Sequence, residues 1–113
     1  MPRDDKLYLE DIIQSIEKIE EYKKGFTFPK LRESNLVLDA ILYNLQIIGE
    51  AAKHISDDVR KIYPDVEWRK IAGLRDIVAH EYYGISLEII WDVIQNKLPP
   101  LHTAIIKILE EIP

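Results

Sequence analysis

The stretch NLVLDAILYNLQIIGEAAKHI, residues 35–55, decides the fold. It contains no proline, and its apolar residues recur at spacings of three and four, the period of an α-helix. One stripe runs Leu38, Ile41, Leu45, Ile48, Ala52 and Ile55. A second runs Leu36, Ala40, Tyr43, Ile47 and Ala51. A helix with two apolar faces is covered on both sides, by the core of its own chain or by a second subunit. In so small a chain the second stripe points to a dimer interface. Ser34 or Asn35 is placed to cap the start of this helix, which is expected to run to about Ile55.

The same period extends outward in both directions. Leu9, Ile12, Ile13, Ile16 and Ile19 mark an amphipathic first helix over about residues 4–24. Lys23-Lys24-Gly25 ends it, with basic residues in the last turn and a glycine after them. The following FTFPK, residues 26–30, is expected to be a loop. Pro64 and Asp65 open a third helix with Trp68, Ile71, Ala72, Ile77 and Val78 as its apolar positions, which Gly84 ends or interrupts. Ser86 caps a fourth, LEIIWDVIQNKL, and Pro99-Pro100 separates it from a short fifth, LHTAIIKILEEI. No strand pattern, repeat or internal linker competes. The expected fold is all-α: one domain over residues 1–113, a bundle of four main helices plus a short fifth.

Composition narrows the function. A chain of 113 residues can bury roughly two thirds of its unfolded surface and fold without staples. It has no cysteine, which excludes a disulfide scaffold and a cysteine-based zinc site and suits a reducing cytoplasm. There is no long apolar run for a membrane, and the charged start MPRDDK does not read as a signal peptide. With 15 basic and 20 acidic residues the net charge is −5, which argues against a broad electrostatic nucleic-acid binder and leaves room for a small basic site. His54, His80 and His102 lack metal-ligand spacing, and no acid cluster supplements them. A glycine-rich phosphate loop and a carboxylate pair for magnesium are missing too, so a nucleotide-hydrolysing enzyme finds no support.

Chemistry concentrates in RDIVAHEYYG, residues 75–84. Arg75 and Tyr82 are seven apart, about 20° from each other on an ideal helix. Asp76 and His80 are four apart, so Asp76 is placed to fix the tautomer of the imidazole. Arg75 and His80 are five apart, about 140°. They meet only if the helix loosens near Ala79, or if a second copy of the chain completes the site. Spacing alone leaves two readings open. In one, a histidine at a helix end answers the dipole and the arginine is a surface partner of Asp76. In the other, the arginine fork holds a phosphate and the histidine moves protons near neutral pH. Two histidines, one from each subunit, then divide the work of base and acid in metal-free RNA cleavage. Glu50, Lys53 and His54 share one face of the second helix, at spacings of three and four, which by itself reads as a solvated charged face.

Arg75, then DIVA, then His80, Glu81 and Tyr82 spell Arg-x4-His-x-Tyr. With IIGEAAKHIS at 47–56, IYPDVEWRKIAGLRD at 62–76 and YYGISLEIIWDVIQNKLPPL at 82–101, nearly the whole chain resembles the HepT family of the HEPN superfamily. The resemblance implies an all-α homodimer with the motif of both chains lining an interface cleft. It implies the toxin of a type VII-like HEPN/MNT toxin–antitoxin module, cutting RNA without metal or other cofactor. Arg75 would stabilise phosphate and transition state, and His80 would act as general acid and base. The implied partner is an MntA-like minimal nucleotidyltransferase antitoxin that transfers AMP to Tyr82, setting negative charge beside Arg75. Asp76 and Glu50 are possible supporting residues; Asp76 stands where many HEPN proteins carry a polar residue such as Asn. The alternative within the same resemblance is a non-catalytic HEPN scaffold for a nucleotidyltransferase.

Overall fold

The computed structural model describes residues 3–81 and 86–112. Helix α1 (Arg3–Lys23) starts with Asp4 and Asp5 in its first turn, where carboxylates meet the positive end of the helix dipole. Its stripe of Leu9, Ile12, Ile13, Ile16 and Ile19 is buried, as expected. The chain then reverses through Gly25, whose φ of 76° is left-handed backbone that favours glycine.

FTFPK is not all loop. Thr27 caps a short helix, α2 (Phe28–Glu33), by accepting from the Lys30 amide at 3.4 Å. Pro29 stands in its first turn, where the missing N–H costs nothing. Leu31 is fully buried and anchors the turn. Ser34 closes α2 and also caps α3 (Asn35–Lys53), accepting from the Val37 amide at 3.4 Å. Of the two candidate caps, the structure therefore uses Ser34.

Helix α3 is the spine. Ile41, Leu45, Ile48 and Ala52 are fully buried against the rest of the chain. Within one chain the second stripe is covered only in part. Ala51 is buried, but Leu36 is 82% and Tyr43 64% exposed, and Ala40 and Ile47 are half-buried. That face has no cover from its own fold.

The segment after α3 holds a further short helix, α4 (Asp57–Ile62). Ser56 caps it by accepting from the Val59 amide. The same serine is gripped by Asp5 of α1, whose carboxylate accepts from the Ser56 amide at 2.8 Å and hydroxyl at 2.7 Å. Arg60 turns back to donate to the carbonyls of Ala52 at 2.8 Å and Ile55 at 3.1 Å, tying α4 to the end of α3.

The expected third helix is two. Pro64 and Asp65 lie in a turn, α5 (Trp68–Ala72) follows, and Gly73 separates it from α6 (Leu74–Glu81). Both pack on α3. A Cβ at Gly49 would lie 2.9 Å from the Arg75 amide nitrogen and 3.2 Å from the Ala72 carbonyl oxygen. The glycine of IIGEAA therefore exists so that the start of α6 can seat against α3. Gly84, expected to end this helix, lies outside the described residues.

Ser86 caps α7 (Leu87–Asp92) through the Ile89 amide, as expected. The break expected at Pro99-Pro100 does not occur. A π-helical turn, Val93–Lys97, carries α7 into α8 (Leu98–Glu111), with the prolines in the first turn of α8. The Leu98 amide bonds back five residues to Val93. In that register Pro99 has no N–H for the Ile94 carbonyl, and the Lys23 ammonium approaches it at 3.4 Å instead. The fifth helix is thus continuous with the fourth. The all-α class stands, with α1, α3, α5–α6 and α7–α8 as its main rods and α2 and α4 added. Among the described residues no helix is long and apolar enough to cross a membrane.

Candidate active site around Arg75

Gly49 sets the distance from which the site is built. Because α6 comes so close to α3 there, Arg75 in the first turn of α6 lies beside Glu50, the next residue of α3. Its Nη1 donates to Glu50 Oε2 at 3.0 Å. The other oxygen of the same carboxylate lies 3.3 Å from His54 Nε2, one helical turn on. The His54 ring stacks on Tyr8 of α1, with centroids 5.2 Å apart and planes at 20°. One carboxylate thus joins an arginine from α6 to a histidine at the end of α3, and α1 supports the histidine.

All three ionic groups keep about half of their side-chain surface in water: 52% for Arg75, 45% for Glu50 and 47% for His54. Surface pairs of this kind are worth about 0–1 kcal/mol and weaken with salt. The pair fixes the direction of the guanidinium without committing it. Arginine carries five N–H donors in a planar fork, so donors remain for a phosphate.

His80 is exposed in the last turn of α6. The helix stays regular through Ala79, contrary to the loosening that would have brought His80 round to Arg75. Over five residues of unbroken α-helix the two side chains leave the axis about 140° apart. Among the described residues no hydrogen bond joins Asp76 to His80; Asp76 faces solvent, so the expected clamp on the tautomer is not formed. Glu50, by contrast, does reach Arg75, and so does not belong to a merely solvated face. Lys53 is exposed on the same turn. Tyr82 lies outside the described residues. Among the described residues no group of three or more His, Cys, Asp or Glu side chains is placed to hold a metal ion.

Sequence reasoning missed the part of Tyr8. It lies 46 residues from His54, and no local pattern couples the two. The spacing of Glu50 and His54, i and i+4, was the legible half of the cluster.

The family model for HepT-like ribonucleases matches residues 12–108. A "Probable ribonuclease HepT" of Thermococcus cleftensis is 36% identical over 101 residues, 89% of this chain and 92% of that protein. A "Putative RNase" of Caldanaerobacter subterraneus subsp. tengcongensis is 36% identical over 104 residues, 92% of this chain and 93% of that protein. A "Gamma-glutamylcyclotransferase and putative RNase" of Methanocaldococcus jannaschii is 38% identical over 112 residues, 99% of this chain but 50% of that protein, so the chain spans half of it. No solved structure gives a match. The Arg-x4-His helix seated on Gly49, the all-α bundle around it and a family match over most of the chain agree: this protein belongs to the HepT-like ribonuclease family.

Proposed function

We propose that the chain is a toxin that cleaves RNA without metal, at a cleft formed by two copies of itself. The observation that carries this reading is the divergence of Arg75 and His80 on an unbroken α6, next to an α3 face left uncovered. One chain does not bring the two groups together. The uncovered stripe of Leu36, Ala40, Tyr43 and Ile47 continues at the same spacing into Glu50, which lies within about 20° of Tyr43 around the helix. A second copy laid on that stripe by a two-fold axis reaches the Glu50–Arg75 pair at its end. Each chain then supplies an arginine and a histidine to a shared cleft.

The chemistry follows from the two groups. A neutral imidazole takes the proton of a ribose 2′-hydroxyl, and the resulting oxygen attacks the adjacent phosphorus. Arg75 holds the non-bridging oxygens as charge builds on them. The 5′-oxygen leaves with a proton from the imidazolium of the other copy, and a 2′,3′-cyclic phosphate remains. His80 and its counterpart fill the roles of base and acid. Tyr82, two residues on, is the site at which a nucleotidyltransferase antitoxin attaches AMP. The added phosphodiester competes with RNA for Arg75.

The second reading, a non-catalytic scaffold for the nucleotidyltransferase, draws on the net charge of −5. Expression in a bacterial host separates the two. Growth arrest by wild type but not by His80→Ala, relieved by the co-expressed transferase and not relieved when the toxin carries Tyr82→Phe, supports the enzyme. Equal effects of wild type and His80→Ala, with Tyr82 still modified, would support the scaffold.

A further inference from the structure

We propose that His54 is a positioning residue that receives Glu50 when a phosphate takes its place on Arg75, so that RNA binding at this site carries a proton onto His54. The inference rests on the reading of Arg75 as a phosphate ligand. A site meant for phosphate has its arginine paired with a carboxylate at 3.0 Å, which cancels the charge the phosphate needs. The same carboxylate already touches a second potential cation, His54, at 3.3 Å. With His54 neutral, the Arg75–Glu50–His54 cluster has no net charge. With His54 protonated it carries +1.

The exchange needs little movement. Glu50 and His54 lie one turn apart on the same helix, so a rotation about the Glu50 side-chain torsions turns both oxygens toward the imidazole. A phosphate oxygen takes the vacated Nη1 of Arg75. The imidazole nitrogen gains its proton from solvent, and the imidazolium then pairs with the whole carboxylate. Stacking on Tyr8 keeps the ring in place throughout.

The other charged groups near His54 are already engaged or turned to water. From α1, Asp5 is buried and accepts both of its bonds from Ser56. From α4, Arg60 is bound to the end carbonyls of α3, while Asp57 and Asp58 are exposed. Lys53, beside His54 on α3, is exposed. Glu50 is the carboxylate in contact with the ring, and α6 reaches the cluster through Arg75.

The test is calorimetric binding of a 2′-O-methyl oligoribonucleotide, which lacks the attacking hydroxyl, in two buffers of different ionisation enthalpy near pH 7.5. The buffer dependence gives the protons taken up on binding. Wild type should take up a measurable fraction of a proton, up to about one per site at His54. His102→Gln should keep that uptake. His54→Gln and His54→Asn, confirmed as folded by circular dichroism, should lose the His54 share and bind more weakly. Undiminished uptake in both His54 variants would overturn the proposal while leaving Arg75 as the phosphate ligand. Unchanged affinity in Arg75→Ala would instead overturn the phosphate reading itself, and this inference with it.

Discussion

Replacing Gly49 with alanine tests how α6 is held and what depends on it. The new methyl carbon would lie 2.9 Å from the Arg75 amide nitrogen and 3.2 Å from the Ala72 carbonyl oxygen. Both are backbone atoms, so a rotamer change cannot clear them; the start of α6 must move off α3 by several tenths of an ångström. Overpacking of this kind costs about 1–3 kcal/mol. Alanine returns about 1 kcal/mol in the interior of a helix. The expected net loss is about 1 kcal/mol, or a Tm lower by about 4–6 °C for a domain of this size. Activity should fall further than stability, because the residue displaced is Arg75. With Arg75 as the phosphate ligand proposed above, a displacement of several tenths of an ångström should cost on the order of 10-fold in rate, since about 1 Å costs about 100-fold. The assay pairs thermal unfolding with RNA cleavage measured well below Tm. A Gly49→Ala protein as stable and as active as wild type would refute the seating of α6 on Gly49.

Other substitutions probe the remaining contacts. Asp5→Ala should destabilise the chain by about 1–3 kcal/mol in chemical denaturation, since it leaves the Ser56 amide and hydroxyl without the carboxylate that binds both. Tyr43→Glu, on the uncovered stripe of α3, should leave the monomer's circular dichroism unchanged, while light scattering reports a smaller particle and RNA cleavage is lost. Glu88 is held below the ordinary carboxylate range, first by its own backbone N–H, then by the Ser86 hydroxyl and by Arg32. The unfolded chain therefore binds this proton more readily than the folded one. The stabilisation is complete above the ordinary carboxylate value of about 4.3 and is lost as pH falls through the lower folded value. Thermal midpoints of wild type and Glu88→Gln should accordingly converge as the pH is lowered through that range.

Much of this fold was legible because its signals are local. The buried stripe of α1, the caps at Ser34 and Ser86 and the core face of α3 all follow from residues within a few positions of one another. Two of the departures share one cause. Pro29 and Pro99-Pro100 read as breaks, yet a proline in the first turn of a helix starts it; only the preceding backbone decides which applies. At Pro99 that decision rests on a π-helical turn and on Lys23, 76 residues earlier, which no local pattern contains. Helix α4 was announced by Ser56-Asp57-Asp58, a cap followed by an acidic first turn, and was passed over because it is only six residues long.

The site divides along the same line. Arg75 and His80 stood out by residue type and spacing. Their relation did not, since the angle between them depends on whether α6 stays regular, and it does. Spacing and resemblance together leave Glu50 between a solvated face and the site; the close approach at Gly49 sets it against Arg75. Tyr8 carried no signal, because stacking on a histidine 46 residues away is a property of how α1 packs on α3.

An RNA cleavage assay in excess EDTA decides whether the motif cuts RNA without metal. Wild type, Arg75→Ala and His80→Ala are purified identically, without the nucleotidyltransferase, and offered several classes of RNA. Wild type should cleave, leaving a 2′,3′-cyclic phosphate, and each variant should lose about 100-fold or more. Equal activity in all three, or no cleavage by folded wild-type protein, would refute metal-free cleavage by Arg75 and His80.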